Sequence, residues 1–305
     1  MERREFIKSL GMAGVFSLLA TVPLNASRKE SRTLTGSGDA GFLGPFDLAL
    51  EPQGNLLISD PSGYRIVRLD SFLKPITSFG EPGSQPGRLN FPKGLAADAS
   101  GIVYVVDSNN CRVQAFDRSG KVDSVIGTVG SIGGSFATPQ GIFLDESGRL
   151  FVADTRNHRV QVFEKGSVIA IVGDMGDGKD QFRLPTSCAL NKSGELLVLD
   201  SKHGMVKIFD KDFKFVDSFG GDGTAPGRMR MPQGMKLDSA GDMWIADTGN
   251  HRIQKFSRDG KVLAVHGKPG SGPDEFRNPT GIAVSGDTVY VADNGNGRVQ
   301  VLKKS

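Results

Sequence analysis

The sequence predicts an all-β chain, a six-bladed β-propeller of four-stranded antiparallel blades, and three observations carry that prediction. A proline recurs at Pro45, Pro92, Pro139, Pro185, Pro232 and Pro279, at spacings of 47, 47, 46, 47 and 47 residues. An aspartate follows each proline by fifteen or fourteen residues, at Asp60, Asp107, Asp154, Asp200, Asp247 and Asp293, so two independent markers share one period. Each unit also contains four short stretches rich in β-branched and aromatic residues, and the two ends of the chain look complementary. A fixed period of this length with four strands per unit is the signature of sheets packed around an axis.

The elements follow in order. In "FPKGLAADASGIVYVVDSNNCRVQAFDRSGKVDSVIG" the stretches "GLAAD", "IVYVVD", "RVQAF" and "KVDSVIG" read as strands bounded by Gly, Asp, Asn or Ser. The links "DASG", "DESG" and "DSAG" read as hairpin turns whose glycine supplies a positive φ, which makes consecutive strands antiparallel. The 41 glycines fit a fold with this many turns. The repeats fall near residues 41–90, 91–137, 138–183, 184–230, 231–277 and 278–305. The last repeat stops after its third strand, "RVQVLKK", and "SRTLTG" at Ser31–Gly36 resembles a fourth strand such as "VLAVHG" at Val262–Gly267. Pairing the two would close the ring and leave no open edge, whereas a linear solenoid would need capping ends.

Residues 1–26 differ in composition. Adjacent arginines precede the apolar "GMAGVFSLLATVPL" and the small residues "NAS", which reads as an export signal with cleavage after Ala26, leaving residues 27–305 as the propeller. The run Arg3-Arg4-Glu5-Phe6-Ile7-Lys8 resembles a twin-arginine signal. That resemblance implies export of a folded protein across a prokaryotic inner membrane, to the periplasm or beyond, with membrane contact only through this segment. The formal net charge of +3 gives no argument for nucleic acid. Cys111 and Cys188 provide no disulfide framework and fall in different blades, so two free thiols are expected.

From the recurring Asp the six turns read "DPSGYR", "DSNNCR", "DTRNHR", "DSKHGM", "DTGNHR" and "DNGNGR". The fourth position, Gly63, Asn110, Asn157, His203, Asn250 and Asn296, holds residue types that tolerate the left-handed region, so it is expected to carry the positive φ. The Asp is expected to accept from backbone N–H groups of its own turn. Arg65, Arg112, Arg159, Arg252 and Arg298 are expected to pair with an Asp of their own or a neighbouring blade. The fifth position varies as Tyr64, Cys111, His158, Gly204, His251 and Gly297, and no single backbone need explains that set. Tyr64, Cys111, His158 and His251 are therefore expected to decorate one face around the channel mouth.

The innermost strands begin with Phe46, Lys93, Gln140, Thr186, Gln233 and Thr280, and their middle residues are Ala49, Ala96, Phe143, Ala189, Lys236 and Ala283. Small side chains suit six converging strands, so Phe143 and Lys236 stand out. Lys236, with Lys93, Gln140 and Gln233, suggests an anion-attracting pocket.

Units with Pro-x-Gly, a strand ending in Ala-Asp or Val-Asp and then Asn-x-Arg-Val/Ile-Gln resemble the NHL-repeat family, as in "PKGLAAD…VVDSNNCRVQ", "PQGIFLD…VADTRNHRVQ", "PQGMKLD…IADTGNHRIQ" and "PTGIAVS…VADNGNGRVQ". Repeats one and four depart from the pattern, with Asp47 and Ser187 in place of Gly and Met205 in place of Arg. The resemblance implies a propeller but fixes no activity, because fold does not set function. The reading favoured by the residues is a monomeric, exported, non-enzymatic module binding a protein, peptide or small molecule at the channel mouth without a cofactor. The alternative is an axial-metal lyase or hydrolase. A relation to the peptide-amidating lyase would imply zinc, for which His158, His203 and His251, or Cys111, are the available ligands. A relation to the gluconolactonase-like enzymes would imply axial calcium, yet Asp47 is the sole acid at the innermost-strand starts, and a hard cation wants several. The acidic loop with Asp174, Asp177 and Asp180 reads as a solvated connector. RNA binding, known in the family, is opposed by the charge balance and the export signal.

Overall fold

The computed structural model of the protein describes residues 32–35 and 42–304. The expected signal, residues 1–26 with its arginine pair, and the outer residues Ser31 and Gly36 of the first strand lie outside the described residues.

Six four-stranded antiparallel sheets stand around an axis as blades. Blade five shows the pattern: Met235–Leu237 innermost, then Met243–Asp247, Arg252–Phe256 and Val262–His266 outermost. Blade six is made from both ends of the chain. Pro279–Ser285, Thr288–Asp293 and Arg298–Lys303 are followed in space by Arg32–Thr35, antiparallel to the third strand with Arg32 opposite Val301.

Six buried apolar clusters lie one at each junction between neighbouring blades. Leu197, Leu199 and Val206 of blade four meet Met235, Ile245 and Phe256 of blade five. At the closing junction Leu48, Ile58 and Val67 of blade one meet Ala283, Ala292 and Val299 of blade six, with Leu34 of the N-terminal strand packed against them. Each strand alternates its side chains between two such junctions, so every blade is held on both faces. At about 1.5–3 kcal/mol for each large apolar side chain removed from water, these junctions dominate the stability of a chain that has no disulfide.

The glycine of Pro-x-Gly has a direct cause. A Cβ on Gly94 would sit 2.3 Å from the Gln140 carbonyl oxygen, one on Gly141 2.4 Å from that of Thr186, and one on Gly234 2.1 Å from that of Thr280. The innermost strands approach too closely for a side chain there.

The recurring turn corrects one expectation. Each Asp leads into a single 3-10 turn in five blades, and the residue in the left-handed region is the fifth, not the fourth: Tyr64 at φ 54°, Cys111 at 53°, His158 at 57° and His251 at 56°, with Gly204 at 63° and Gly297 at 60°. The fourth residue is Asn for its side chain, which the site below makes plain.

Candidate functional site

The buried aspartates are hubs. Asp154 Oδ1 accepts from the Ala137 N–H at 2.8 Å, while Oδ2 accepts from Asn157 Nδ2 at 2.8 Å, Arg159 Nε at 2.8 Å and Gln161 Nε2 at 3.0 Å. Asp107, Asp247 and Asp293 repeat this with Asn110, Arg112 and Gln114, with Asn250, Arg252 and Gln254, and with Asn296, Arg298 and Gln300. The Asn amide also donates to a connector carbonyl, Gly130 for Asn157, and the Arg Nη2 donates to two more, Ile132 and Ser135 for Arg159. Each arginine therefore pairs within its own blade and ties down the glycine-rich connector that precedes it. In blade one Asp60 accepts from the N–H groups of Leu43, Gly44 and Gly63, with Arg65 at 3.6 Å. In the regular hubs both carboxylate oxygens are engaged by the surrounding structure, which makes these aspartates scaffold.

The fifth-position side chains do not form one face. His158 Nδ1 accepts from the Leu184 N–H at 3.1 Å, and His251 Nδ1 from the Asn278 N–H at 3.0 Å. Leu184 and Asn278 are themselves in the left-handed region just before the proline of the next blade. The two histidines thus brace adjacent blades, which requires the neutral ring with its proton on Nε2. Burial, followed by the nearby Arg183, holds His158 below the usual histidine value, consistent with that tautomer. Cys111 departs from expectation: it is buried in the core between blades two and three, beside Phe136 and Ile142. Tyr64 is 37% exposed on blade one, away from the cavity described next.

Along the axis the channel narrows to a cavity of about 20 Å³, roughly room for one water. Gly94, Gly141, Gly234 and Gly281 contribute backbone to its wall, so the two repeats that lack this glycine supply its side chains, Asp47 and Ser187, together with Lys236. Burial raises the Asp47 carboxyl while the Lys236 charge opposes the rise, and Asp47 Oδ2 accepts from the Leu95 N–H at 3.0 Å. Lys236 lies in this axial cavity and not in the mouth pocket. Phe143 lines neither: it packs edge-on to Phe151, 6.0 Å between ring centres, and joins the apolar clusters on both sides of blade four.

Above the axis, displaced toward blades two to five, a bowl of about 450 Å³ opens on the face that carries the Asp turns. The expected residues Lys93, Gln140, Gln233 and His158 converge on it. Arg156, Thr155, Thr186, Ser201 and Met231 line it too and were not anticipated. Arg156 occupies the third turn position, which reads Ser62, Asn109, Arg156, Lys202, Gly249 and Gly295 around the ring. The backbone N–H of this position is tied to the preceding connector, at the Ala137 carbonyl for Arg156, and a Cβ on Gly249 or Gly295 would lie 2.7 Å from a connector oxygen, so the varying side chains of the other blades are the signal. The Lys93 ammonium lies over the rings of Phe46 and Phe91, at 5.0 and 5.7 Å from their centres. Burial, with Arg156 adding repulsion, pulls it from 10.5 down to about 8.

The histidines do not fit an axial zinc. His158 and His251 are engaged as braces, and His203 is held between Asp200 at 2.6 Å and Asp177 at 3.0 Å. Among the described residues no three His, Cys, Asp or Glu side chains converge on a point that could hold a metal ion. His158, His203 and His251 are thus not brought together at one point, and Cys111 is buried in the core between blades two and three. Both Cys111 and Cys188 are free, and burial pushes the Cys188 thiol up to about 12.

A propeller whose channel is pinched at the axis and opened to one side at the mouth is the class of protein that the fold and site define. Four of its blades match the family model described as the NHL repeat, at residues 89–116, 136–163, 229–256 and 276–302, in blades two, three, five and six. Each match runs from a buried connector anchor, Leu89, Phe136, Met229 or Phe276, to the end of the third strand, and blades one and four, with Asp47, Ser187 and Met205, are left unmatched. No curated protein matches the chain in sequence. Among solved structures it is similar to virginiamycin B lyase from Staphylococcus aureus, at 13% identity and a TM-score of 0.64 over 90% of this chain and 99% of that one. It is similar to a gluconolactonase from Xanthomonas campestris, at 15% and 0.68 over 90% of each chain. It is also similar to an auxiliary nutrient binding protein from Bacteroides thetaiotaomicron, at 14% and 0.65 over 87% of this chain and 70% of that one. At these identities the likeness is one of fold.

Proposed function

We propose that the protein is an exported, non-enzymatic binding module that takes a small ligand in the off-axis bowl at the channel mouth. The observation that carries this reading is the bowl itself, about 450 Å³ and walled by side chains of four blades, above an axis with room for little more than a water. Concave sites of several hundred Å³ with a few convergent polar groups are where small molecules bind. The bowl side chains come from inner-strand starts and turns held by the aspartate hubs, so the site is preorganised on a rigid ring. Among the similar folds are a nutrient binding protein as well as a lyase and a gluconolactonase, so the scaffold accommodates either use. Export rests on the arginine pair and apolar run of residues 1–26.

The test is to purify the protein and identify what co-purifies by native mass spectrometry, then repeat with Met231→Trp, which fills the bowl from an exposed position. A stoichiometric small molecule present in the parent and lost in the variant is expected; a ligand retained by Met231→Trp, or turnover of the identified molecule, overturns the reading. Fractionation of cells expressing the parent and an Arg3→Lys/Arg4→Lys variant tests export, which the variant should abolish.

A further inference from the structure

Two cations face the bowl without a counter-ion. Lys93 comes from the innermost strand of blade two and Arg156 from the turn of blade three, and neither side chain has a carboxylate within ion-pairing distance among the described residues. Three cations of blades three and four are, by contrast, matched: Arg159 with Asp154, Arg183 with Asp177 and Lys207 with Asp200. None of the bowl-lining residues is acidic. The turn carboxylates of blades three and four, Asp154 and Asp200, are fully buried and already engaged in hub contacts.

A second observation points to a ligand. Ser201 lines the bowl at 1% exposure, and its hydroxyl has no hydrogen-bond partner. Its counterparts in blades three and five are satisfied, Thr155 by the Ala153 carbonyl and Thr248 by the Pro279 carbonyl, while Ser108 of blade two shares the unpaired hydroxyl but does not line the bowl. A buried unpaired hydroxyl is costly unless something else satisfies it. His158, bracing Leu184 through Nδ1, leaves its Nε2 proton as a further donor on the same wall.

Resting on the reading of the bowl as the ligand site, we propose that it is an oxyanion site: it holds a terminal carboxylate or phosphate of a small molecule between Lys93 and Arg156, with the Ser201 hydroxyl donating to it. An oxyanion supplies the missing charge to both cations and the missing acceptor to the hydroxyl. The Phe46 and Phe91 rings beside Lys93 leave the ammonium thinly hydrated, so a charge-assisted bond made there displaces little water. A cationic ligand is excluded by repulsion, and a neutral one would leave two unpaired cations under it.

The test is calorimetric titration of the full chain with succinate, glycerol 3-phosphate and their neutral counterparts succinamide and glycerol. At least one anion is expected to bind with a salt-dependent affinity, succinate marking a carboxylate source and glycerol 3-phosphate a phosphate source, and the neutral molecules are expected to bind at least about tenfold more weakly. Lys93→Met and Arg156→Gln are each expected to weaken the anion about tenfold or more, and Lys165→Met, on the opposite face, to leave it unchanged. Neutral molecules binding as well as the anions, unchanged affinity in both charge variants, or no anion binding in the millimolar range overturns the oxyanion assignment. Met231→Trp separates the two readings: if it abolishes binding that Lys93→Met and Arg156→Gln leave intact, the bowl is the site and the oxyanion assignment alone fails. Anion binding that survives Met231→Trp removes the bowl as the site altogether.

Discussion

Blades five and four place a buried aspartate at the same point and surround it differently. In blade five Asp247 is held by Asn250, Arg252 and Gln254, and Arg252 Nη2 reaches the connector carbonyls of Ala225 and Arg228. In blade four His203 replaces the Asn, Met205 the Arg and Lys207 the Gln. The Lys207 ammonium, 3.3 Å from Asp200, donates to the carbonyls of Gly178 and Gln181, which stand seven and four residues before Pro185 just as Ala225 and Arg228 do before Pro232. One flexible lysine two residues later in the strand thus does the work of both the guanidinium and the amide, and Met205 is released from the hub. The carboxylate and the connector carbonyls are what the fold requires; the cation that joins them is exchangeable. The same exchange turns the Asn side chain's contact with the connector backbone into a side-chain contact of His203 with Asp177 at 3.0 Å.

The most severe break should come from removing a hub carboxylate. Asp247→Ala strands the Arg252 guanidinium and three further donors, and urea denaturation is expected to show a loss of about 3–5 kcal/mol. Lys207→Met should cost nearly as much, about 3 kcal/mol, because Asp200 stays buried with its cation gone; a loss below about 1 kcal/mol would mean that blade four does not depend on the substitution. Lys93→Met should move stability the other way, by roughly 1–3 kcal/mol at pH 7, since the folded state holds this unpaired ammonium at about 8 against 10.5. The sign follows from proton counts. Between about 8 and 10.5 the unfolded chain binds more protons at this site, so the parent gains stability as pH rises through that window and the advantage of Lys93→Met fades toward 10.5. Anion affinity should fall over the start of the same window as Lys93 loses its charge. The smallest effect is expected from His203→Asn, within about 1 kcal/mol of the parent, because the amide can return to the hub of the regular blades; a loss beyond about 2 kcal/mol would show that the contact with Asp177 holds the connector.

Much of the ring was legible in the sequence because its causes are local. Proline and aspartate recur where strands begin and turn, and hydrophobic alternation records which strand faces meet a neighbouring blade. The structural role of Asp154, Asn157 and Arg159 could be read by comparing six copies. The assignment of the left-handed residue failed by one position because Asn at the fourth place is also a residue type that tolerates positive φ, and its actual reason, a side-chain bond to the hub and to Gly130, joins residues 27 apart. Cys111 and Phe143 were misplaced because whether a varying side chain faces solvent, core or channel depends on neighbours from other blades. Arg156 stands outside the Asp, Asn and Arg columns that repeat around the ring, so no periodic signal marks it.

The sequence by itself determined the architecture: six units, four strands each, a tethered turn and a crowded axis, since backbone geometry and burial impose the same residue types in every copy. Only the tertiary structure decided the site. The bowl exists where the departures of individual blades meet across the ring, Lys93 from one, Arg156 from the next and Ser201 from a third. No period in the chain encodes that meeting, because it is set by distances between blades and by the charges and hydroxyls left without partners there.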